Sequence, residues 1–406
     1  MRRLLEFAAG ILLIASAQVH AQGQEQEPAP TFVRGAFSFE SSLGIEARSD
    51  NNIFESARNE QSSSIWQLEP RFLMRLEPAR SRVEFGYDGD YAWYDDSSDD
   101  DYDDHLLKSG AYLLLGERSG LDLVASYAYE HDDRGTQLTQ GADPGSALFP
   151  EEPDRYTSEQ YFSRYTYGVS RTRAYLSFEA STQQLTYKNN ETRTRAYDRK
   201  NSYGQATFGL RIRPTVSLQL SARARDIDYD QPRASGLGPD SHEDRYLLGV
   251  KWEATARTTG SVQVGRVERD FDDPGRADFS GPNWEVTIRW SPRTYSHFDL
   301  STERYTEEPI DPQGDVTDTA IYSVSWSHEW NDRLESRMTM ARLERTYQYV
   351  TGDREDQSPQ YSVALIHRMR PWLRWELGFD VNARDSDIAS YNYDQTIARL
   401  GAWITF

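Results

Sequence analysis

The chain contains no cysteine among its 406 residues, which excludes disulfide bridges and thiolate sites. Beyond residue 21 it also lacks any long apolar run, and its mean hydropathy is −0.78. A membrane-spanning helix needs about 20 consecutive apolar residues, so a helical membrane protein is excluded. Basic residues are outnumbered, because 65 Asp and Glu against 45 Lys and Arg leave a formal charge of −20. Nucleic-acid binding is disfavoured, since it requires a basic surface.

What the chain has instead is alternation. From Phe37 to Phe406, segments of about ten residues alternate apolar with polar side chains, as in Val83 to Tyr87. The breaks between the segments alternate between tight turns and long polar loops. A barrel strand needs an apolar side chain only at every second position, because its other face looks into a wet lumen. The pattern predicts an all-β protein over residues 36–406, a transmembrane antiparallel up-and-down β-barrel of about 18 strands, with 16 as the alternative.

The aromatic residues favour the same fold over a soluble β-sandwich or β-helix. Tyr and Trp concentrate near both ends of the expected strands, as two membrane interfaces require. Those near tight turns are Trp252, Trp290, Trp330, Trp372 and Trp403, and those near long loops are Tyr91, Trp93, Tyr127, Tyr129, Tyr305, Tyr347 and Tyr349. Tight turns are expected on the periplasmic side. The longest loop, from Asp132 to Glu159, is long enough to fold inward. Pro70 interrupts a strand and predicts a local bulge.

The N-terminal segment predicts export. Arg2 and Arg3 precede a short apolar run that ends at Val19-His20-Ala21, the pattern of a secretory signal peptide over residues 1–21. Residues 22–35 are rich in Gln, Glu and Pro, which predicts a flexible periplasmic tail. We therefore expect the barrel in the outer membrane of a Gram-negative bacterium, surrounded by lipid and lipopolysaccharide.

The inward half of the alternation carries the functional hypothesis. Most inward charges are expected to brace the wall through cross-strand pairs, and the remainder would line a hydrated path for polar solutes. An acidic and mixed side is expected at Glu69, Arg71, Arg75, Arg82, Glu84, Asp88 and Asp90. A more basic side is expected at Arg211, Arg223, Arg225, Arg245 and Lys251, and a second mixed side at Glu335, Arg337, Arg374, Glu376 and Asp380.

No catalytic, metal or cofactor site is predicted. The seven histidines lack metal-ligand spacing. Ser296-His297 and Ser327-His328 are adjacent, so on a strand they point to opposite faces and cannot pair. The acidic run from Asp95 to Asp104 could hold Ca²⁺, but it lacks the ordered spacing and the glycine of an EF-hand loop. A solvated acidic loop is the preferred interpretation.

The first hairpin carries a family resemblance. Residues Ser49-Asp50-Asn51-Asn52-Ile53-Phe54, followed by Trp66-Gln67-Leu68-Glu69-Pro70-Arg71-Phe72, resemble the opening of the family called putative β-barrel porin 2. Its members include outer-membrane proteins encoded with exopolysaccharide and capsule machinery. The resemblance implies an outer-membrane barrel with a role in polysaccharide export and with periplasmic export machinery as a partner. It supplies no catalytic residues, and Pro70 is ordinary within the pattern.

Three functions remain open at this point. The first is export of exopolysaccharide or capsular polysaccharide, which the resemblance implies. The second is general diffusion of small hydrophilic solutes. The third is a non-conducting barrel that acts as a scaffold or an enzyme, although enzymatic activity is not expected.

Overall fold

The chain folds into a closed antiparallel barrel of 18 strands, as the alternation predicts. The structure is a computed structural model that describes residues 32–406 except 79, 148, 170–171, 233–237, 256, 310–313 and 350–351. The predicted signal peptide and the tail as far as residue 31 lie outside these described residues. Within them, no helix is long and apolar enough to cross a bilayer.

The wall consists of β2 to β19, preceded by a three-residue strand, β1, that pairs with β2. The bounds are β1 Phe32–Arg34, β2 Phe37–Asp50, β3 Ser63–Leu76, β4 Arg82–Tyr94, β5 Tyr102–Leu115, β6 Ser119–Asp132, β7 Asp154–Tyr167, β8 Ala174–Tyr187, β9 Arg199–Arg213, β10 Val216–Tyr229, β11 Ser241–Thr255, β12 Thr258–Phe271, β13 Phe279–Arg293, β14 Ser296–Glu307, β15 Gly314–Asn331, β16 Leu334–Tyr349, β17 Arg354–Arg370, β18 Leu373–Ser386 and β19 Tyr393–Thr405.

Each strand pairs with its neighbour in sequence, and β19 closes the ring on β2. The seam is pinned at its end, where the Phe406 amide donates to the Ser41 carbonyl at 3.1 Å. Closure leaves no unpaired sheet edge, which is the condition for a β-structure to survive in lipid.

The strands are longer than the apolar alternation alone suggests. β12 was expected to end near Val264 but continues to Phe271, and β7 begins at Asp154 rather than at Tyr161. The extra residues lie at the long-loop end, which we call the mouth. There the outward side chains are charged, such as Arg266 and Glu268, which form an exposed pair at 2.9 Å. The strands continue beyond the apolar band that faces the membrane. Outward positions at the mouth can therefore be charged, and the apolar alternation in the sequence ends before the strand does.

The bulge predicted at Pro70 is wrong. β3 keeps one register with β4 on both sides of the proline, with Leu68 opposite Tyr91 and Arg71 opposite Asp88. The ladder merely loses its pairing at residues 69 and 70. The ring is accommodated by Gly89 on β4, where an added Cβ would lie 3.1 Å from the Pro70 side chain.

The two girdles are present, with corrections at several positions. Trp290, Trp330 and Trp372 are exposed on the outer face near the turns, and Trp93 and Tyr127 are exposed near the mouth. By contrast, Trp403, Tyr305 and Tyr347 point inward. The Trp403 indole donates to Glu69 at 3.2 Å, Tyr305 donates to Glu307 at 2.9 Å, and Tyr347 is only 4% exposed. Their position along the strand was predicted correctly, but their face was not.

Candidate functional site

The two faces of the wall differ in kind. On β11, Tyr246 and Leu248 are exposed on the outer face, whereas the alternating Arg245 and Leu247 are 8% and 2% exposed. The same contrast recurs around the barrel, where the exposed large side chains are apolar and the inner face holds the ion pairs. The inner face is therefore the candidate site.

On β2 to β4, the inward arginines near the turn end pair with carboxylates of the wall itself. Arg75 lies 2.8 Å from Glu40 on β2 and 3.7 Å from Glu84 on β4. Arg82 lies 3.6 Å from the same Glu84. The two Arg75 contacts run across the ladder, as a bracing role requires, whereas the Arg82 contact lies within β4.

Farther toward the mouth the same wall continues the pattern. Arg71 lies 3.3 Å from Glu69 and 3.9 Å from Asp88, and Asp88 also pairs with Lys108 on β5. Asp90 accepts hydrogen bonds from the Gln67 amide at 2.5 and 2.6 Å. The structure thus brings together the first group of expected lumen residues.

The second mixed side lies on β16 to β19. Glu335 takes bonds from Arg337 at 3.2 Å and from Arg368 at 2.7 Å. The same side includes Glu376 and Asp380, which lie 3.5 and 3.0 Å from Arg399 on β19. Arg374 lies over the Trp403 ring, 4.5 Å from its centre. Arg399, Arg368 and Trp403 join this side without having been predicted as part of it.

The expected basic side occupies three adjacent strands, β9 to β11. Arg223 and Arg245 both donate to the neutral Gln205 carbonyl, at 3.0 and 3.4 Å, and Arg245 also pairs with Glu285. Arg225 lies nearer the mouth. Lys251 lies near the turn end of β11, at the level of Arg211 on β9, so the structure does not bring it to Arg223, Arg225 and Arg245.

Arg211 has a different role from the one expected. Its guanidinium donates to the carbonyls of Gly168 and Thr172 in the β7–β8 turn. Two backbone acceptors hold the side chain at the turn end, so Arg211 fixes the β7–β8 turn and does not point to the centre of the lumen.

Between the charged regions the inner wall is neutral and small. Hydroxyl pairs join neighbouring strands, including Thr207 with Ser221 and Ser261 with Thr287, both at 3.0 Å. A large ring also lies flat on a glycine of the wall. Tyr175 covers Gly209 so closely that a Cβ on residue 209 would overlap the ring. The Tyr175 ring thereby stays against the wall and does not project into the lumen.

The mouth is covered by loops that pack on one another. Arg134, in the 133–153 loop, pairs with Asp100 of the 95–101 loop at 2.5 Å, and both side chains are under 10% exposed. Gly135 has φ +86° and lies against the backbone of Phe54 in the 51–62 loop. Only glycine fits this left-handed contact, since a Cβ would overlap the Phe54 carbonyl.

The 133–153 loop also reaches the far side of the mouth. Gln140 accepts from Arg354 on β17 at 2.7 Å, and that guanidinium lies between the rings of Tyr347 and Tyr391. The expectation that the longest loop could fold inward is therefore met. Burial alone would raise the pKa of the Asp133 carboxyl at the start of this loop, but its hydrogen bond to His131 holds that pKa below the ordinary value.

The acidic 95–104 segment is not simply a solvated loop. Asp100 is 5% exposed because of Arg134, and Asp101 accepts from the Tyr94 amide at 2.8 Å. Within the described ranges of the chain, no group of three His, Cys, Asp or Glu side chains is arranged to hold a metal ion.

The family model for "Putative beta-barrel porin 2" matches residues 32–406. The chain belongs to this family. In solved structures the barrel resembles the outer membrane protein OpdK of Pseudomonas aeruginosa, with a TM-score of 0.51 and 12% identity over 91% of this chain and 99% of that one. It is also similar to OccK3 of the same organism (TM-score 0.48, 12% identity, 91% and 95% coverage) and to the FrpB iron transporter of Neisseria meningitidis (0.47, 9%, 90% and 81%). No curated protein matches the chain by sequence.

For this porin-family barrel, membership and fold together imply an outer-membrane location. The family and the fold are those of an outer-membrane β-barrel porin.

Several inward residues escaped the sequence analysis. Arg199 and Arg269 lie at the mouth ends of β9 and β12, beyond the apolar alternation that identified the strands. Arg134 and Glu308 lie in loops, where the alternation of apolar and polar side chains makes no prediction. The one available signal was Arg134, a basic residue directly after Asp132 and Asp133 and an obvious partner for the acidic 95–104 run.

Proposed function

We propose that this barrel carries an exopolysaccharide or capsular polysaccharide across the outer membrane. The observation that carries the proposal is the neutral inner wall between the charged regions. Ser221, Ser261 and Thr287 present hydroxyls there, and Tyr175 lies flat on its glycine. A sugar chain can exchange its bonds to water for bonds to such hydroxyls and slide past a wall without projections.

The paired charges support the same proposal. Most inward arginines near the turn end have a carboxylate within ion-pair distance, as Arg75 has in Glu40. Conduction requires sites that hold a solute enough to let it enter but not enough to retain it. A wall of neutralised pairs offers many weak polar contacts and few strong ones, which suits a long polar chain in transit.

A second candidate, passage of small hydrophilic solutes, is favoured by the covered mouth. The 133–153 loop is anchored at both Asp100 and Arg354, so it crosses the end of the barrel. A fixed loop there would limit the size of what passes. For polymer export the loop would have to move aside, whereas small solutes could pass around it.

The test is secretion by a strain that lacks this gene and is complemented with variants. Wild type should restore secreted polysaccharide. Ser261→Trp, which places an indole on the inner face, should restore little. The matched control is Val262→Trp on the adjacent outer position, which should restore it fully. Normal secretion by the deletion strain would overturn the export proposal. In that case, size-limited single-channel conductance would support the small-solute candidate, and its absence would leave the non-conducting barrel.

A further inference from the structure

Three arginines converge on the inner face at the mouth. Arg199 on β9, Arg225 on β10 and Arg269 on β12 form what we call the mouth arginine cluster. Arg269 is fully buried, and its Nε donates to the Ser241 hydroxyl at 3.0 Å. Burying guanidinium groups together is costly unless a carboxylate compensates them.

The compensating carboxylate does not come from these strands. Glu308 follows β14 directly, and three strands separate β14 from β10. One Glu308 oxygen pairs with Arg225. The other accepts from Arg269 at 2.9 Å and from the Tyr229 hydroxyl at 2.8 Å. Both oxygens are thus held by groups on β10 and β12, four and two strands away from β14.

Charge keeps Glu308 ionised. Burial alone would raise the pKa of its carboxyl, but Arg269, Arg225 and Arg199 outweigh burial and hold that pKa far below its ordinary range. On the wall, Glu243 lies 3.8 Å from Arg225 and already accepts from Thr306, and the Asp132 carboxylate of β6 attracts Arg199. Arg225 and Arg269 therefore depend mainly on Glu308 for their negative partner.

This arrangement differs from the bracing pairs elsewhere on the inner wall. Arg289 pairs with Asp299 at 2.6 Å, and Arg164 pairs with Glu179 at 2.9 Å, each on the next strand of the ladder. Bracing needs only such neighbours. A cluster whose anion arrives from a loop instead has the form of an anion-binding site with an internal ligand in place.

We propose that the mouth arginine cluster binds carboxylate groups of the transported solute, and that Glu308 occupies this site as an internal competitor. The inference rests on the proposed function, because it assigns a chemical class to the solute of the same lumen. The solute would be a uronate-containing sugar chain. On entering the site, its carboxylate replaces that of Glu308 between Arg225 and Arg269, with no covalent change.

The wall below the cluster fits the same ligand. Arg223 lies 4.6 Å from the centre of the Tyr203 ring and donates to the neutral Gln205 carbonyl, which it shares with Arg245. A carboxylate moving through the lumen toward the mouth would meet these two guanidinium groups before it reaches the cluster. A sugar ring beside it would meet the face of Tyr203.

The test is isothermal titration of the purified barrel in detergent, which requires binding but not conduction. The probes are trigalacturonate, galacturonate and neutral maltotriose. Glu308→Gln should bind trigalacturonate about tenfold more tightly than wild type, because removing the internal ligand frees the site. The matched control is Glu307→Gln, the adjacent residue, which lies 3.5 Å from Arg345 instead and should bind as wild type does. Adding Arg225→Gln to Glu308→Gln should abolish the gain.

Each outcome has one meaning. Equal affinity of wild type and Glu308→Gln, or a matching gain for maltotriose, would overturn the proposal. A gain for galacturonate as large as for trigalacturonate would keep the carboxylate site but assign it to small acids. If Glu308→Gln does not fold, Tyr229→Phe weakens the same contact by one hydrogen bond and should give a smaller gain in the same direction, whereas no gain would overturn the proposal. Because no transport is measured, a strain with normal secretion would sink the export proposal without deciding this one.

Discussion

The walls on β2 to β5 and on β9 to β12 both carry several inward arginines, but their carboxylates come from different places. Arg75 and Arg71 meet Glu40, Glu84 and Asp88 on neighbouring strands. Arg225 and Arg269 meet Glu308, which belongs to the connection after β14, beyond the strands adjacent to β10 and β12. A pair within the ladder can only brace it. A carboxylate carried on a connection is not fixed by the ladder, which is why we propose anion exchange for the second wall and not for the first.

The largest expected effect concerns the loops beside the first wall. Arg134→Ala leaves Asp100 buried without its partner, which costs about 3–5 kcal/mol for a buried pair. The 133–153 loop should then open locally, with faster hydrogen exchange over residues 133–153 and unchanged exchange in the strands. The control is Asp143→Asn, whose contact with Asn59 is exposed. Protection of the loop equal to wild type in Arg134→Ala would show that the Arg134 pair does not anchor the loop.

A direct comparison of the two walls comes next in size. Glu84→Gln and Glu308→Gln each remove one negative charge from the inner face. Glu308→Gln should shift selectivity toward anions more strongly, because it exposes three clustered cations, whereas Glu84 lies beside Arg75 and Arg82 with other carboxylates within reach. The measurement is the reversal potential in a salt gradient. Equal shifts would mean that the two walls do not differ as described.

The smallest expected effect is that of pH on the second wall. A carboxyl whose pKa is lowered on folding stabilises the fold above its ordinary pKa, here 4.5, and loses that contribution only as the pH falls through the lowered value. The contact of Glu308 should therefore persist from about pH 8 down to about pH 5. Reversal potentials should differ between wild type and Glu308→Gln by a constant amount across this range. A difference that disappears near pH 6 would contradict the assignment.

The outer face was predictable because lipid imposes one rule on every second residue. The strand count, the closure and the tight turns followed from that alternation. Pro70 was misjudged because sequence alone did not show that Gly89 would make room for its ring. Trp403 was assigned to a girdle because it lies near the end of its strand, where the girdle is expected. Its side chain nevertheless points to the inner face.

The candidate site was less predictable for a different reason. The alternation of faces along each strand placed Arg223, Arg225 and Arg245 on the inner face. Because neighbouring strands follow one another in sequence, it also placed the three residues on the same wall. The alternation could not predict the contact of Glu308 with Arg225 and Arg269, because Glu308 lies in a loop and these arginines are on strands that are not adjacent to that loop. The same holds for Arg134 and Asp100, which meet through two separate loops. Long-range contacts made by loops depend on loop conformation, which alternation does not encode.

The central claim is that the inner face encloses a path for polar solutes. Single-channel recording of the purified barrel in a planar bilayer tests it most directly. The account predicts discrete conductance steps for wild type and for Val262→Trp, and strongly reduced steps for Ser261→Trp, because only residue 261 faces the lumen. No steps from wild type, even with the loop released by Arg134→Ala, or equal steps from the two tryptophan variants, would contradict it.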